Sequence, residues 1–245
     1  SVIDAKRIEI TWDELAQDGV AGYEVQRAPV EVYSNDQLQR IKSQTAPLAS
    51  PSVGGLRRIG QFTMLTDKPK AGNSFVDSAV DLTKPSTIDG EPIYQRNWHK
   101  EQLDDSGREY KFGVYAYRVR GVNKAGEAGG WSSAVLTIPS LPQHVFAKED
   151  GETCHVKWKA NPEAGIAGYR VYRMNGRFST AEIPRLTPQP IEQTTFTDLE
   201  AGNASRRYYI VAVDALGQEG LPSAPVWCNR EWKQFYEPFT DDWHQ

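Results

Sequence analysis

Gly168-Tyr169-Arg170-Val171-Tyr172-Arg173 follows Trp158, with eleven positions from the Trp to Tyr169, and the chain has used the same phrase before: Gly22-Tyr23-Glu24-Val25-Gln26-Arg27 follows Trp12, again with eleven positions to Tyr23. A match in spacing and residue type together is an internal repeat, and two copies mean two similar domains. Around each copy apolar residues alternate with polar ones on both sides of a short turn-like gap, which is the period of a half-buried β-strand.

Working outward from the repeat, the first copy opens on Ile8-Glu9-Ile10-Thr11-Trp12, an alternating strand with the Ile residues and Trp12 on the core side. Asp18-Gly19 turns the chain into the strand at 22–27. Periodicity is then lost near 29–56, where Pro29, Pro47, Pro51 and Gly54-Gly55 gather, although Ser34-Asn35-Asp36 before 37–41 suits the cap of a short helix. Strands are expected at 58–62 and 74–77, a second irregular stretch near 83–109, an alternating strand at 115–123, and a closing strand at 131–138. Pro139-Ser140-Leu141-Pro142 reads as a short, stiff linker. In the second copy strands are expected at 153–159, 169–173, 195–198, 208–214 (read as alternating) and 223–228, with Asn175-Gly176 as a hairpin signal. Pro225 suits an edge strand.

Composition narrows the function classes. The chain of 245 residues is 39% hydrophobic and 24% charged, ordinary for a globular protein, and no apolar run approaches the ~20 residues of a membrane span, so no direct membrane insertion is expected. A net charge of −4 gives no basic field for nucleic acid. Beginning at Ser1 without a leader, the sequence reads as a processed or excised piece of something longer.

In each copy seven short strands are expected, with a Trp in the second, a Tyr-rich third, and an aromatic-led sixth ending in Val122-Asn123-Lys124-Ala125-Gly126 or Val213-Asp214-Ala215-Leu216-Gly217. This pattern resembles fibronectin type III domains, and the Gly-Tyr-Arg-Val-Tyr-Arg form is similar to those common in secreted bacterial proteins. The resemblance extends to about residue 228; it is specific for fold and nearly empty for function. It implies an all-β chain of two fibronectin type III-like (immunoglobulin-like) β-sandwiches in tandem, at 1–139 and 140–230, the first carrying the insertions near 29–56 and 83–109, followed by an aromatic-rich C-terminal segment at 231–245. The family often ties its strand corner with a tyrosine at the start of the sixth strand. Tyr115 fits that place in the first copy, whereas alignment on the closing Gly puts Arg206 there in the second.

All the extra chain is in the first copy. From Tyr23 to Phe75 is 52 residues, against 27 from Tyr169 to Phe196, and from Asp77 to Gly126 is 49, against 19 from Asp198 to Gly217. In the topology the resemblance implies, both insertions lie at one pole, where the last strand exits. Tyr94, Trp98 and apolar residues near 29–56 are therefore candidates for interdomain or partner contacts, because long loops inside compact domains are usually functional or locally folded.

Chemistry-bearing patterns are sparse. His99, His144, His155 and His244 are scattered and lack the spacing of a zinc site, and neither a nucleophile elbow nor a phosphate-cradling Gly loop is present. Asp104-Asp105 and Asp241-Asp242 read as solvated carboxylates. Neither catalysis nor a metal or other cofactor is expected. Trp131-Ser132-Ser133 is similar to half of the Trp-Ser-x-Trp-Ser box of cytokine receptors, but the second Trp is missing and the first copy has no cysteine, so packing of Trp131 over the last strand is the expectation. Asn175-Gly176-Arg177 needs only a hairpin to explain it, and Asn203-Ala204-Ser205 is a glycosylation sequon that matters only in a eukaryotic source. In the implied topology Cys154 and Cys228 sit at the same pole, where they form either an inter-sheet disulfide or a pair of buried thiols; the style of the family favours the disulfide. Trp232, Phe235, Tyr236, Phe239 and Trp243 hold so much apolar area that they either fold back on the second domain or dock a partner.

The expected function is a non-catalytic protein-interaction or structural spacer module of a secreted, cell-envelope or cell-surface protein, its partners being another protein or other domains of the parent chain. The alternative is an accessory, carbohydrate-binding region of a secreted polysaccharide-degrading enzyme, in which Tyr94 or Trp98 would stack on a glycan.

Overall fold

The structure, a computed structural model, describes residues 1–15, 19–32, 58–93, 113–175 and 183–228. They hold sixteen β-strands and no α-helix. The described residues divide into two compact units, the division falling between Ile138 and Pro139. Outside the described residues lie Asp18, the capped segment at 34–41, Tyr94, Trp98, His99, Asp104-Asp105, Gly176-Arg177, Trp232, Phe235, Tyr236, Phe239, Asp241-Asp242, Trp243 and His244.

Unit 1 runs β1 (Val2–Asp4), β2 (Arg7–Thr11), β3 (Val20–Glu31), β4 (Arg58–Ile59), β5 (Thr63–Met64), β6 (Ser74–Asp77), β7 (Thr87–Ile88), β8 (Glu91–Pro92), β9 (Val114–Asn123) and β10 (Val135–Leu136). One sheet has the order β1-β2-β6 and the other β10-β9-β3-β4, with β5 also on β3. The alternation read at 8–12 is real: Ile8 and Ile10 are buried between polar neighbours. They join Tyr23 and Val25 of β3 and Tyr117 of β9 in the buried set.

Three features differ from the sequence reading. β3 continues through 28–31, because Ala28 and Val30 pair with Ala116 and Val114 of β9, and all four are buried. The stretch near 83–109 opens on a small hairpin of β7 and β8, turned by Asp89 and Gly90 with φ of 55° and 83°. Those left-handed values are what a two-residue hairpin demands, and they need Asp-Gly or its like. Only Val135–Leu136 of the expected closing strand at 131–138 pairs with β9. Glu31 lies opposite Arg58 and Val30 opposite Val114, at one end of this sheet.

Unit 2 runs β11 (Phe146–Asp150), β12 (Thr153–Lys157), β13 (Ile166–Asn175), β14 (Thr195–Asp198), β15 (Arg206–Asp214) and β16 (Val226–Cys228), in sheets β11-β12-β14 and β13-β15-β16. Its core gathers Cys154, Val156, Trp158, Tyr169, Val171, Tyr208, Ile210, Ala212 and Cys228 from both sheets. The residues read as a linker belong to this unit: Pro142 is fully buried, Ser140 N–H donates to Glu163 Oε1 at 2.8 Å, and Asn161 Nδ2 donates to Ser140 O at 2.8 Å. β15 was expected to alternate and does not. Tyr208-Tyr209-Ile210-Val211-Ala212-Val213 is buried without interruption, so both faces of this strand are covered. A continuous apolar run is the signature of a strand with no water on either side.

Each unit is therefore a fibronectin type III-like β-sandwich, a three-stranded sheet facing the sheet that carries the Gly-Tyr motif.

Candidate functional site

Ionisable side chains converge between the sheets of each unit, at positions related by the repeat. In unit 1 Arg27 Nη1 lies 2.6 Å from Asp77 Oδ2, the Tyr117 hydroxyl donates to the same oxygen at 2.8 Å, and the N–H of Ala79 donates to Oδ1 at 2.9 Å. In unit 2 Arg173 Nη1 lies 2.9 Å from Asp198 Oδ2, the Tyr208 hydroxyl donates to that oxygen at 2.7 Å, and the N–H of Glu200 donates to Oδ1 at 3.0 Å. Asp77 and Asp198 are buried. A buried carboxylate stays favourable only when paired and hydrogen-bonded, and both conditions are met here. Burial first, and then Asp77 or Asp198, push the Tyr117 and Tyr208 hydroxyls far above the ordinary tyrosine range, so both stay protonated and donate.

This arrangement locks one sheet to the other. It corrects the expectation for the strand corner. The tying hydroxyl is two residues beyond Tyr115, on Tyr117, and its counterpart is Tyr208, so Arg206 breaks no pattern. Sequence reasoning passed over the whole lock, though its signal was there: an Arg four places after each repeat Tyr, an Asp two places after each Phe, and a Tyr nine places before each closing Gly.

The motif that announced the fold is also structural. Trp12 and Tyr23 have ring centroids 5.2 Å apart, and Trp158 and Tyr169 5.4 Å. The Tyr23 hydroxyl accepts from the N–H of Leu15 and the Tyr169 hydroxyl from that of Asn161, each at 2.8 Å. A Cβ at Gly22 would sit 2.9 Å from Lys70 O, and one at Gly168 2.9 Å from Ile191 O, which is why glycine precedes the tyrosine both times.

The two units part company on the outward face of the Gly-Tyr sheet. In unit 1 that face carries a row of rings and guanidinium groups: Arg118 Cζ lies 3.9 Å from the Phe62 centroid and 4.7 Å from that of Trp131, and Arg120 Cζ lies 4.3 Å from the Trp131 ring. Arg118 also donates to Gln26 Oε1 at 2.7 Å, and Arg120 pairs with Glu24 at 2.7 Å. Ser132 Oγ accepts from the N–H of Val119 at 3.1 Å, as Ser223 Oγ does from Ile210 at 3.0 Å, so the serine of Trp131-Ser132-Ser133 is a strand tie common to both units. Phe62, Arg118, Trp131 and Arg120 are half-buried, which leaves part of each ring and guanidinium at the surface. Rows of Trp and Arg suit contact with another protein.

The remaining candidates are placed as follows. Cys154 and Cys228 are joined in a disulfide with Cα atoms 6.3 Å apart. His144 and His155 are exposed, His155 Nδ1 lying 3.0 Å from Thr197 Oγ1. Among the described residues no group of three His, Cys, Asp or Glu side chains is arranged around a metal position. Asn203 is exposed, and its amide donates to Glu152 Oε1 at 3.2 Å.

No protein-family model and no curated protein matches the chain. Among solved structures it is similar to an Fn3-like protein from Clostridium thermocellum, at 28% identity over 37% of this chain and 92% of that one, with a TM-score of 0.32. The FN1–FN3 domains of chicken CNTN1 are similar at 13% identity over 92% of this chain and 63% of that one, with a TM-score of 0.35. Pectate lyase Pel3 from Pectobacterium carotovorum is similar at 18% identity over 34% of this chain and 25% of that one, with a TM-score of 0.30.

Proposed function

We propose that this chain is a non-catalytic interaction or spacer module of a secreted, cell-envelope or cell-surface protein. The observation that carries this reading is the duplication of the Arg–Asp–Tyr lock. Groups that recur at matching positions in both units, each engaged with the opposite sheet, serve the sandwich. Beside the insertions of the first copy, the described side chains that differ between the units include those on the outward sheet faces, surfaces suited to a partner.

The disulfide of unit 2 supports a location outside the reducing cytoplasm, since such bonds persist in oxidising compartments. The row Phe62-Arg118-Trp131-Arg120 favours a protein partner over a sugar. The Trp131 ring is already engaged by two guanidinium groups, whereas stacking on a sugar calls for a free aromatic face.

The test sets the intact chain and a Trp131→Ala variant against surface proteins of the source cells and against a polysaccharide panel. Loss of a protein contact in the variant, with no polysaccharide retained by either, is the expected result. Saturable polysaccharide binding would instead establish the carbohydrate-binding alternative, and turnover of a polysaccharide would end the non-catalytic reading.

A further inference from the structure

We propose that the outward face of the β13-β15-β16 sheet is the docking surface for the chain's own C-terminal residues 229–245. The evidence begins with β15. Its inward residues Tyr208, Ile210 and Ala212 belong to the core of unit 2, but the outward ones are covered as well: Tyr209 is 4% exposed, Val211 0% and Val213 1%. Tyr172 of β13 is 0% exposed beside them. Tyr172, Arg207 and Tyr209 each have a further polar or ring partner beyond the pairs described above.

Unit 1 carries polar residues at three of the matching outward positions. Gln26, Arg118 and Arg120 stand at the positions that Tyr172, Tyr209 and Val211 occupy in unit 2, and all three are half-buried. An outward sheet face next to solvent takes polar residues, and an apolar one needs a cover. Replacement of two arginines and a glutamine by two tyrosines and a valine thus turns a half-buried polar patch into a fully covered one that is largely apolar.

The chain's course identifies the cover. β16 pairs with β15 through Arg206↔Cys228 and Arg207↔Trp227, so the described chain ends at Cys228 on the edge strand of this sheet. The disulfide to Cys154 fastens that point. Trp227, immediately before it, is already turned to the outward side, its ring 5.2 Å from Arg207 Cζ. From Arg207 to Val213 the strand covers about 20 Å, well within the reach of the segment 229–245 at roughly 3.3 Å per extended residue. That segment brings Trp232, Phe235, Tyr236, Phe239 and Trp243, rings whose chemistry suits a surface of Tyr, Val and Met with one buried guanidinium, Arg207.

The test is hydroxyl-radical footprinting of the full chain beside a full-length variant in which Trp232, Phe235, Tyr236, Phe239 and Trp243 are all changed to Ser. Tyr209 and Tyr172 are expected to be protected in the unaltered chain and to react like exposed tyrosines in the variant, while Tyr208 and Tyr117, inside the two cores, stay protected in both. Protection of Tyr209 in the variant as well would mean that another part of the chain supplies the cover. Reactivity of Tyr209 in the unaltered chain would mean that the face is open. Either result overturns the proposal. Should the fivefold variant lose protection at Tyr208, a benzophenone side chain at position 235 of the otherwise unaltered chain decides: photo-capture of peptides from β13 or β15 supports the proposal, and capture elsewhere or none overturns it.

Discussion

Asp77 and Asp198 are the two residues on which the opposed sheets close. Changing either to Asn leaves a half-buried guanidinium, Arg27 or Arg173, without its counter-charge, and about 1 to 3 kcal/mol of stability should be lost in the unit concerned, as read from denaturant unfolding. Tyr117→Phe and Tyr208→Phe remove only a hydrogen bond to the charged oxygen and should cost about 1.5 to 3 kcal/mol. Because burial, and then the neighbouring carboxylate, raise these hydroxyls above their unfolded value, their contribution is complete below about pH 10 and is lost as pH rises above it. An alkaline titration followed by tyrosinate absorbance should show them ionising only with unfolding. Asp214 differs, since burial raises its carboxyl while the turn bonds to Gln218 and Leu216 pull the other way. Unit 1 has Asn123 at the matching turn, its Oδ1 accepting from the N–H of Ala125 and Glu127 as Asp214 Oδ1 does from Leu216 and Gln218. Asp214→Asn should therefore stabilise the protein at pH 7, and the gain should vanish in acid, where Asp214 is itself neutral.

Among elements, β3 and β13 are constrained by the strand-like segments beside them. Tyr23 exchanges two backbone hydrogen bonds with Lys70, and Tyr169 does the same with Ile191, each at 2.8 to 2.9 Å, which brings a carbonyl against the preceding glycine. Gly22→Ala or Gly168→Ala should cost about 1 to 3 kcal/mol by overpacking, measurable as a lowered melting temperature. Thr66 and Thr187 strengthen the same junction, their Oγ1 atoms accepting from the N–H of Val25 at 3.3 Å and of Val171 at 2.9 Å. The sequence carries this element twice, as Thr66-Asp67-Lys68-Pro69 and Thr187-Pro188-Gln189-Pro190, but four residues without a period do not announce a strand. β9 and β15 make the opposite point. They are counterparts in the repeat, yet one turns arginines outward and the other tyrosine and valine, so a shared fold has been given two different outer surfaces.

At the scale of the whole chain, the bond between Cys154 and Cys228 spans 74 positions and fastens the first sheet of unit 2 to its last strand. Replacing both cysteines with serine should cost about 2 to 5 kcal/mol, and thiol titration of the denatured, unreduced protein should find no free thiol. The amino-acid sequence by itself carried the internal repeat and the strands read within 8–12, 22–27, 74–77 and 153–159, because alternation and spacing are local properties that one strand carries alone, whereas the sandwich entered through the resemblance to fibronectin type III domains. Asp89-Gly90 was as readable, and its hairpin lay hidden only because the surrounding stretch has so little period. Tertiary structure alone decided that Arg27 meets Asp77 and Tyr117, residues 50 and 40 positions from that carboxylate, and that Trp131 lies against Arg118 and Arg120. That β15 is dry on both sides was, by contrast, legible in its unbroken apolar run from Tyr208 to Val213, which the sequence reading took as alternating. The reason is physical: a strand's own pattern states how many of its faces avoid water, but what covers each face is set by closure of the sheets, which joins residues that no periodicity connects.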